Sequence, residues 1–169
     1  LLKFDKYALS QLVVQLGTLS RYNHTAVFFK YLDRDYLIQS NLKRGFHIVE
    51  ITGEEWIYNH IGENKADVYN FRKPLTENTY FRRLIQTIVS DMYNNKLRTA
   101  KLGGYSLRGI ANQFFWNFFN KSPLQKISDP FEKCFCSELT MYYFTMRDKS
   151  FLYSPYDITN SERFFKKVR

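Results

Sequence analysis

Residues 133–144 read KCFCSELTMYYF and hold both cysteines of the chain, Cys134 and Cys136. Leu139, Tyr142, Tyr143 and Met146 fall on one face at helical spacing, so a helix is predicted to begin near Cys136. Cys134 lies two residues upstream, in the approach segment. Side chains one residue apart in an extended segment point to opposite sides, so the two thiols are poorly placed to form a disulfide with each other. No second Cys/His pair at zinc spacing accompanies them. A thiol in the first turn of a helix meets unpaired N–H groups and the positive end of the dipole, both of which favour thiolate. The same N–H groups can hold an oxyanion. This makes Cys136 the candidate nucleophile. The competing reading is that both cysteines are small core residues, a common fate of free thiols.

A nucleophilic thiol needs a base. His47 sits in the alternating segment FHIVEI (46–51) and His60 ends the short amphipathic stretch GEEWIYNHI (53–61). Both read as surface or half-buried residues. His24 follows the turn RYN and opens the apolar run TAVFF, so it stands at a strand mouth, on a rigid support beside a cleft. On the next strand, YLIQS (36–40), Gln39 is the polar residue in an apolar context. Its amide oxygen is able to accept an imidazole N–H and orient the ring, as the third member of a triad does. A carboxylate would polarise the ring more strongly than this amide.

Farther out, the order of elements is a helix over residues 7–19, strands within 25–29, 36–40, 46–51 and 66–72, and a helix over about 78–95. Turns are predicted at Arg34-Asp35 and at Arg44-Gly45, with Pro74 ending the fourth strand and Thr76 as an N-cap. Gly103-Gly104 break the pattern. Residues 114–119, FFWNFF, read as core, with a lid or docking surface as the other possibility. Helix, strands and then helices make the class α+β, in one domain spanning 1–169. With 44% hydrophobic residues the chain can bury a core, and its 7 glycines and 4 prolines argue against long linkers.

Lys and Arg number 25 against 16 acidic residues, a net charge of +9. Such a surface suits an anionic polymer or lipid, but the basic residues are scattered rather than gathered in a stripe, and no specific nucleic acid is expected. No apolar run of about 18 residues predicts a membrane span, and no basic-then-apolar leader opens the chain. A cytoplasmic or virion-associated protein is expected. The chain starts at Leu1 rather than Met, so a trimmed or processed form is expected.

Taken together, these residues resemble the circularly permuted papain-like hydrolases, the permuted branch of the NlpC superfamily. Four segments carry the likeness in order: LSQLVVQLGTLSRYNHTAVFF (9–29), YLIQSNLKRGFHIVEI (36–51), FEKCFCSELT (131–140) and LYSPYDITNSERFFKKV (152–168). Cys-Ser-Glu-Leu with an upstream Tyr-X-His is the specific part. The resemblance implies a small antiparallel sheet packed against helices. It implies Cys136 as nucleophile, His24 as general base and Gln39 as the third polar residue, a position often occupied by Glu in relatives. Tyr22, Ser137 and Tyr105 are implied as oxyanion or substrate-lining residues, and Cys134 has no catalytic counterpart. Two features depart from the family: the Gly-Asp pair that usually precedes the first strand is missing, and Ser106 stands where an acid is common.

The activity this implies is cysteine hydrolysis of an amide, with a peptide or acyl-amide substrate such as a cell-wall peptide, through a thiolate–imidazolium pair and an acyl-enzyme. No metal or cofactor is required. Two alternatives stand beside it. One is a lipid, ester or thioester hydrolase or acyltransferase at a membrane surface. The other is a structural or interaction module on the hydrolase scaffold, as part of a larger assembly.

Overall fold

The computed structural model describes residues 24–51, 67–71, 79–108, 110–111, 115, 119, 131–145 and 165–168. The expected helix over 7–19, Tyr22, the stretch 53–61 with His60, Pro74, Thr76 and residues 152–164 of the closing segment lie outside the described residues.

β1 (Ala26–Tyr31), β2 (Arg34–Asn41) and β3 (Gly45–Ile51) form an antiparallel meander. The turn between β1 and β2 falls at Leu32-Asp33, two residues before the expected Arg34-Asp35, because Arg34 and Asp35 are held in the ladder opposite Tyr31 and Lys30. Arg34 is also fixed by its ion pair with Glu50 at 3.2 Å and by the Tyr93 ring 4.7 Å beneath its guanidinium. After β4 (Tyr69–Phe71) come helix α1 (Thr79–Asn94), β5 (Thr99–Tyr105), the two-residue β6 (Lys133–Cys134), helix α2 (Cys136–Thr145) and β7 (Phe165–Lys167).

The main sheet has the order β1-β2-β3-β5-β6, antiparallel except for the parallel pair β5–β6, while β4 and β7 pair separately. The architecture is α+β, with a curled, mixed five-stranded sheet. Ser40 Oγ on β2 donates 2.7 Å to the Cys134 carbonyl on β6, a bond between strands that are not sheet neighbours.

Gly103 and Gly104 lie inside β5 rather than breaking the chain there. A Cβ on Gly104 would crowd the Glu132 carbonyl and the Lys133 side chain, and the backbone of both glycines comes close to Gly45. Gly45 has φ +70°, and a Cβ on it would collide with the Gly103 carbonyl oxygen. The β3–β5 register shifts next to this contact, between Phe46 and His47.

One face of the sheet carries the core. Val27, Ile38 and Ile48 are register partners across β1, β2 and β3 and are buried with Tyr36 and Phe46. Against them α1 sets Phe81, Ile85, Val89 and Met92, spaced four, four and three residues apart as one helical stripe. Leu139 of α2 and Cys134 close the same cluster.

Helix α1 ends in a paired turn. Leu97 N–H donates to the Met92 carbonyl at 2.8 Å and Lys96 N–H to the Tyr93 carbonyl at 3.2 Å, with Lys96 at φ +54°. These two bonds are the Schellman arrangement, which satisfies carbonyls that the helix leaves unpaired.

Candidate active site

Cys136 is the first residue of α2, as its sequence position predicts, and it is completely buried. Phe135 is the N-cap: its carbonyl accepts the Leu139 N–H at 2.9 Å, and its own N–H donates to Glu138 Oε2 at 3.1 Å. Glu138 thus performs the return half of a capping box from the third helical position. This fixes the first turn, whose amides act to lower the Cys136 thiol. The backbone N–H and the hydroxyl of Thr25 act in the same sense and are the larger contributions. Thr25 is the residue that follows His24, so β1 brings the histidine's neighbour into direct contact with the thiol.

The imidazole of His24 is held from the side. His24 Nε2 lies 3.0 Å from Gln39 Oε1. The β-ladder explains this approach: Gln39 is the register partner of Ala26 on one side and of His47 on the other. Directly paired residues share a sheet face, so Gln39 and His47 stand opposite the core-facing Ile38 and Ile48. Gln39 Nε2 lies 3.2 Å from His47 Nε2, and His47 Nδ1 lies 2.8 Å from the Gly45 carbonyl oxygen. The expectation that His47 is a surface or half-buried residue is corrected: it is 2% exposed and belongs to this hydrogen-bonded row. Alternation within 46–51 does not reveal this, because Phe46, His47 and Ile48 are all buried.

Burial sets the resting protonation. It pushes the Cys136 thiol up to about 11, against the lowering effect of Thr25 and of the amides at the start of α2. It also lowers the basicity of His24, opposed by the Gln39 bond and reinforced by His47. His47 is lowered by burial, against its bond to Gly45 and with a further contribution from Arg44. These shifts favour a neutral thiol and a neutral imidazole. This differs from the thiolate–imidazolium pair expected from the sequence, since the helix terminus does not outweigh desolvation here.

Tyr105 stands beside the thiols. Its ring meets Phe135 edge-on at 5.9 Å, and its hydroxyl is made less acidic first by burial and then by the proximity of Cys136 and Cys134. Ser137 is buried and contributes its amide. Ser106, also buried, donates its N–H to the Cys134 carbonyl at 3.1 Å. Cys134 itself lies in the hydrophobic core, as a small apolar residue.

Three residues of the site escaped the sequence reading. Thr25 and Thr140 are two of them: Thr140 Oγ1 lies 3.0 Å from Thr25 Oγ1 and 3.0 Å from the Cys136 carbonyl oxygen. Thr140 follows Cys136 by one helical turn, a spacing that the sequence contains, but its partner is 115 residues away. Glu138 is the third, and its place three residues after the N-cap was the available signal.

The core reading of 114–119 is corrected at Phe115 and Phe119, the two described residues of that stretch: they are 39% and 59% exposed, with rings 5.9 Å apart. Leu107 is 63% exposed. Among the described residues, no three His, Cys, Asp or Glu side chains gather as metal ligands, and no helix is long and apolar enough to cross a membrane.

Comparison of the chain with protein-family models, with curated proteins and with solved structures finds no match.

Proposed function

We propose that this protein is a cysteine hydrolase of the circularly permuted papain-like kind, with Cys136 as nucleophile, His24 as general base and Gln39 as the residue that orients the imidazole. The observation that carries this reading is the placement of Cys136: it is the first residue of α2, its sulfur is buried at the helix N-terminus, and Thr25, joined to His24 through the chain, acts to stabilise its thiolate. Thr25 and the first amides of α2 are the donors around this thiol. They suit a sulfur that becomes anionic during a reaction.

The chemistry begins from the neutral pair. As the sulfur attacks an amide, ester or thioester carbonyl, the thiol proton passes to His24, and the new S–C bond creates an oxyanion. The amides at the start of α2, with that of Ser137 foremost, are the donors available to it. His24 returns its proton to the leaving group as the C–N, C–O or C–S bond breaks. Water then releases the acyl group from Cys136, with His24 again taking and returning a proton. A peptide or acyl amide is the leading substrate class.

Exposed Leu107, Phe115 and Phe119 favour a second reading of the substrate, a lipid or other acyl group met at a membrane surface. Both readings share one test. The protein is incubated with p-nitrophenyl acetate, and acylation is located by mass spectrometry in the wild type, Cys136→Ser and His24→Ala. The expected result is an acetyl group on Cys136, with Cys134 unmodified, and strong loss in His24→Ala. Equal acylation of both cysteines, or no dependence on His24, would overturn the hydrolase reading in favour of a structural module. Stimulation by anionic vesicles separates the lipid substrate from the peptide one.

A further inference from the structure

Four polar groups run in a row across the sheet: His24, Gln39, His47 and the Gly45 carbonyl, linked at 3.0, 3.2 and 2.8 Å. A carbonyl oxygen only accepts. The His47 nitrogen facing Gly45 is therefore the protonated one, and Nδ1–H donates to it. In a neutral imidazole the other nitrogen then carries a lone pair. His47 Nε2 is left as an acceptor, which selects the NH₂ end of Gln39 to face it. The amide has only two ends, so its oxygen faces His24. That oxygen accepts from His24 Nε2–H, and His24 Nδ1 remains as the basic nitrogen of the ring.

From this row we infer that His47 is a positioning residue, which fixes the orientation of the Gln39 amide and through it the tautomer of His24. An amide side chain is intrinsically ambiguous as a triad member, because it offers a donor to the imidazole as readily as an acceptor. A carboxylate has no such ambiguity. A neutral His47, anchored on Gly45, removes it. The catalytic consequence rests on the hydrolase reading; the tautomer assignment does not.

The anchor depends on the tight Gly45 turn. Gly45 takes φ +70° and packs against Gly103, so its carbonyl cannot shift without disturbing β5. Neutrality of His47 is supported by burial and by the positive charge of Arg44. Its other neighbours along the row are Gln39 and, on β5, its register partner Lys101, with His24 beyond the amide. Adding a proton to His47 Nε2 would turn the acceptor into a donor, and the amide could satisfy it only by rotating its oxygen away from His24.

The test uses the whole chain labelled with ¹⁵N-histidine, with tautomers read from the ring nitrogen shifts and their two-bond couplings by NMR. In the wild type at pH 8, His47 is expected as the Nδ1–H form and His24 as the Nε2–H form. An Nε2–H form of His47, or an Nδ1–H form of His24, overturns the inference without any variant. In Gln39→Glu the carboxylate accepts from both rings, so both histidines are expected to gain their second proton at higher pH than in the wild type; unchanged titration overturns it. In a folded His47→Leu protein, His24 is expected to pass from one tautomer to a mixture, and retention of a single Nε2–H form counts against the role of His47. Acylation of Cys136, measured on the same samples, separates the two ideas. Correct tautomers with no acylation leave the row standing and remove the hydrolase reading, while acylation with the wrong tautomers does the reverse.

Discussion

Thr140 Oγ1 lies 3.0 Å from Thr25 Oγ1, so a hydroxyl one turn into α2 meets the residue that follows His24 at the head of β1. Each hydroxyl has one proton to give. The Cys136 carbonyl, also 3.0 Å from Thr140 Oγ1, only accepts, so it competes with Thr25 for the single Thr140 proton. The Thr25 proton is free for the Cys136 sulfur when Thr140 donates to Thr25, and is withdrawn from it when Thr140 donates to the carbonyl and accepts from Thr25. Thr25→Val removes a hydrogen bond to a group that ionises, worth about 1.5–3 kcal/mol, and is expected to raise the Cys136 thiol by about one to two pKa units. Thr140→Val distinguishes the two arrangements: the thiol rises further where Thr140 donates to Thr25, and falls where Thr140 takes the Thr25 proton. The pH dependence of iodoacetamide alkylation of Cys136, read by mass spectrometry with Cys134 as internal control, measures both. Superimposable profiles in wild type and Thr25→Val would show that the hydroxyl does not act on the sulfur.

Glu138 gives a stability prediction whose sign depends on pH. Its carboxyl is raised from 4.5 to about 7 by burial, against the lowering effect of the Phe135 N–H bond. Between those values the folded protein holds more protons than the unfolded chain, so this group makes stability fall as pH rises through the window. Above about 7 the loss is complete and on the order of 3 kcal/mol. Glu138→Gln keeps an oxygen for the Phe135 N–H and removes the charge. Relative to wild type, the variant is expected to gain stability progressively between pH 4.5 and 7.5, as urea denaturation at several pH values would reveal. His24 and His47, both lowered, work in the opposite sense: they reduce stability as pH falls below the unfolded histidine value of about 6.5. Their contributions are present in both proteins and cancel in the difference. A constant difference across this range would mean that the carboxyl is not raised in the fold.

Lys96 holds the left-handed position at the end of α1, at φ +54°. A side chain there costs roughly 1 kcal/mol relative to glycine, less the extra entropy that glycine loses on folding. Its N–H bond to the Tyr93 carbonyl is made by the backbone and survives substitution. Lys96→Gly is therefore expected to stabilise the protein by several tenths of a kcal/mol, and Lys96→Val to destabilise it by more. Thermal unfolding monitored by circular dichroism compares the three. The site of Cys136 is remote in sequence from this turn, so its acylation is expected to stay unchanged in Lys96→Gly.

Several elements were legible before any coordinates. The three strands of the meander, the α1 stripe and the start of α2 at Cys136 all follow from spacing that spans a few residues. Local rules failed where a residue's role was set by a distant partner. Arg34-Asp35 resembles a turn, yet Glu50 and Tyr93 hold Arg34 in a strand. Gly103-Gly104 resembles a break, yet both residues lie inside β5, where their backbone comes close enough to Gly45 to leave no room for a side chain on it. His47 resembles a surface histidine, yet the β2–β3 register sets it against Gln39.

By itself, the sequence determined the α+β order of elements, the placement of one thiol at a helix N-terminus, and the presence of a histidine and an amide on successive strands. These are consequences of local periodicity, capping and turn chemistry, which act within about one or two turns of chain. Only the tertiary structure decided that Thr25 acts on the Cys136 thiol, that Thr140 meets Thr25, and that His47 completes the row behind His24. It also decided the protonation balance of the site. Desolvation depends on everything that packs around a group, and around Cys136 it outweighs the helix terminus that the sequence alone brings into view.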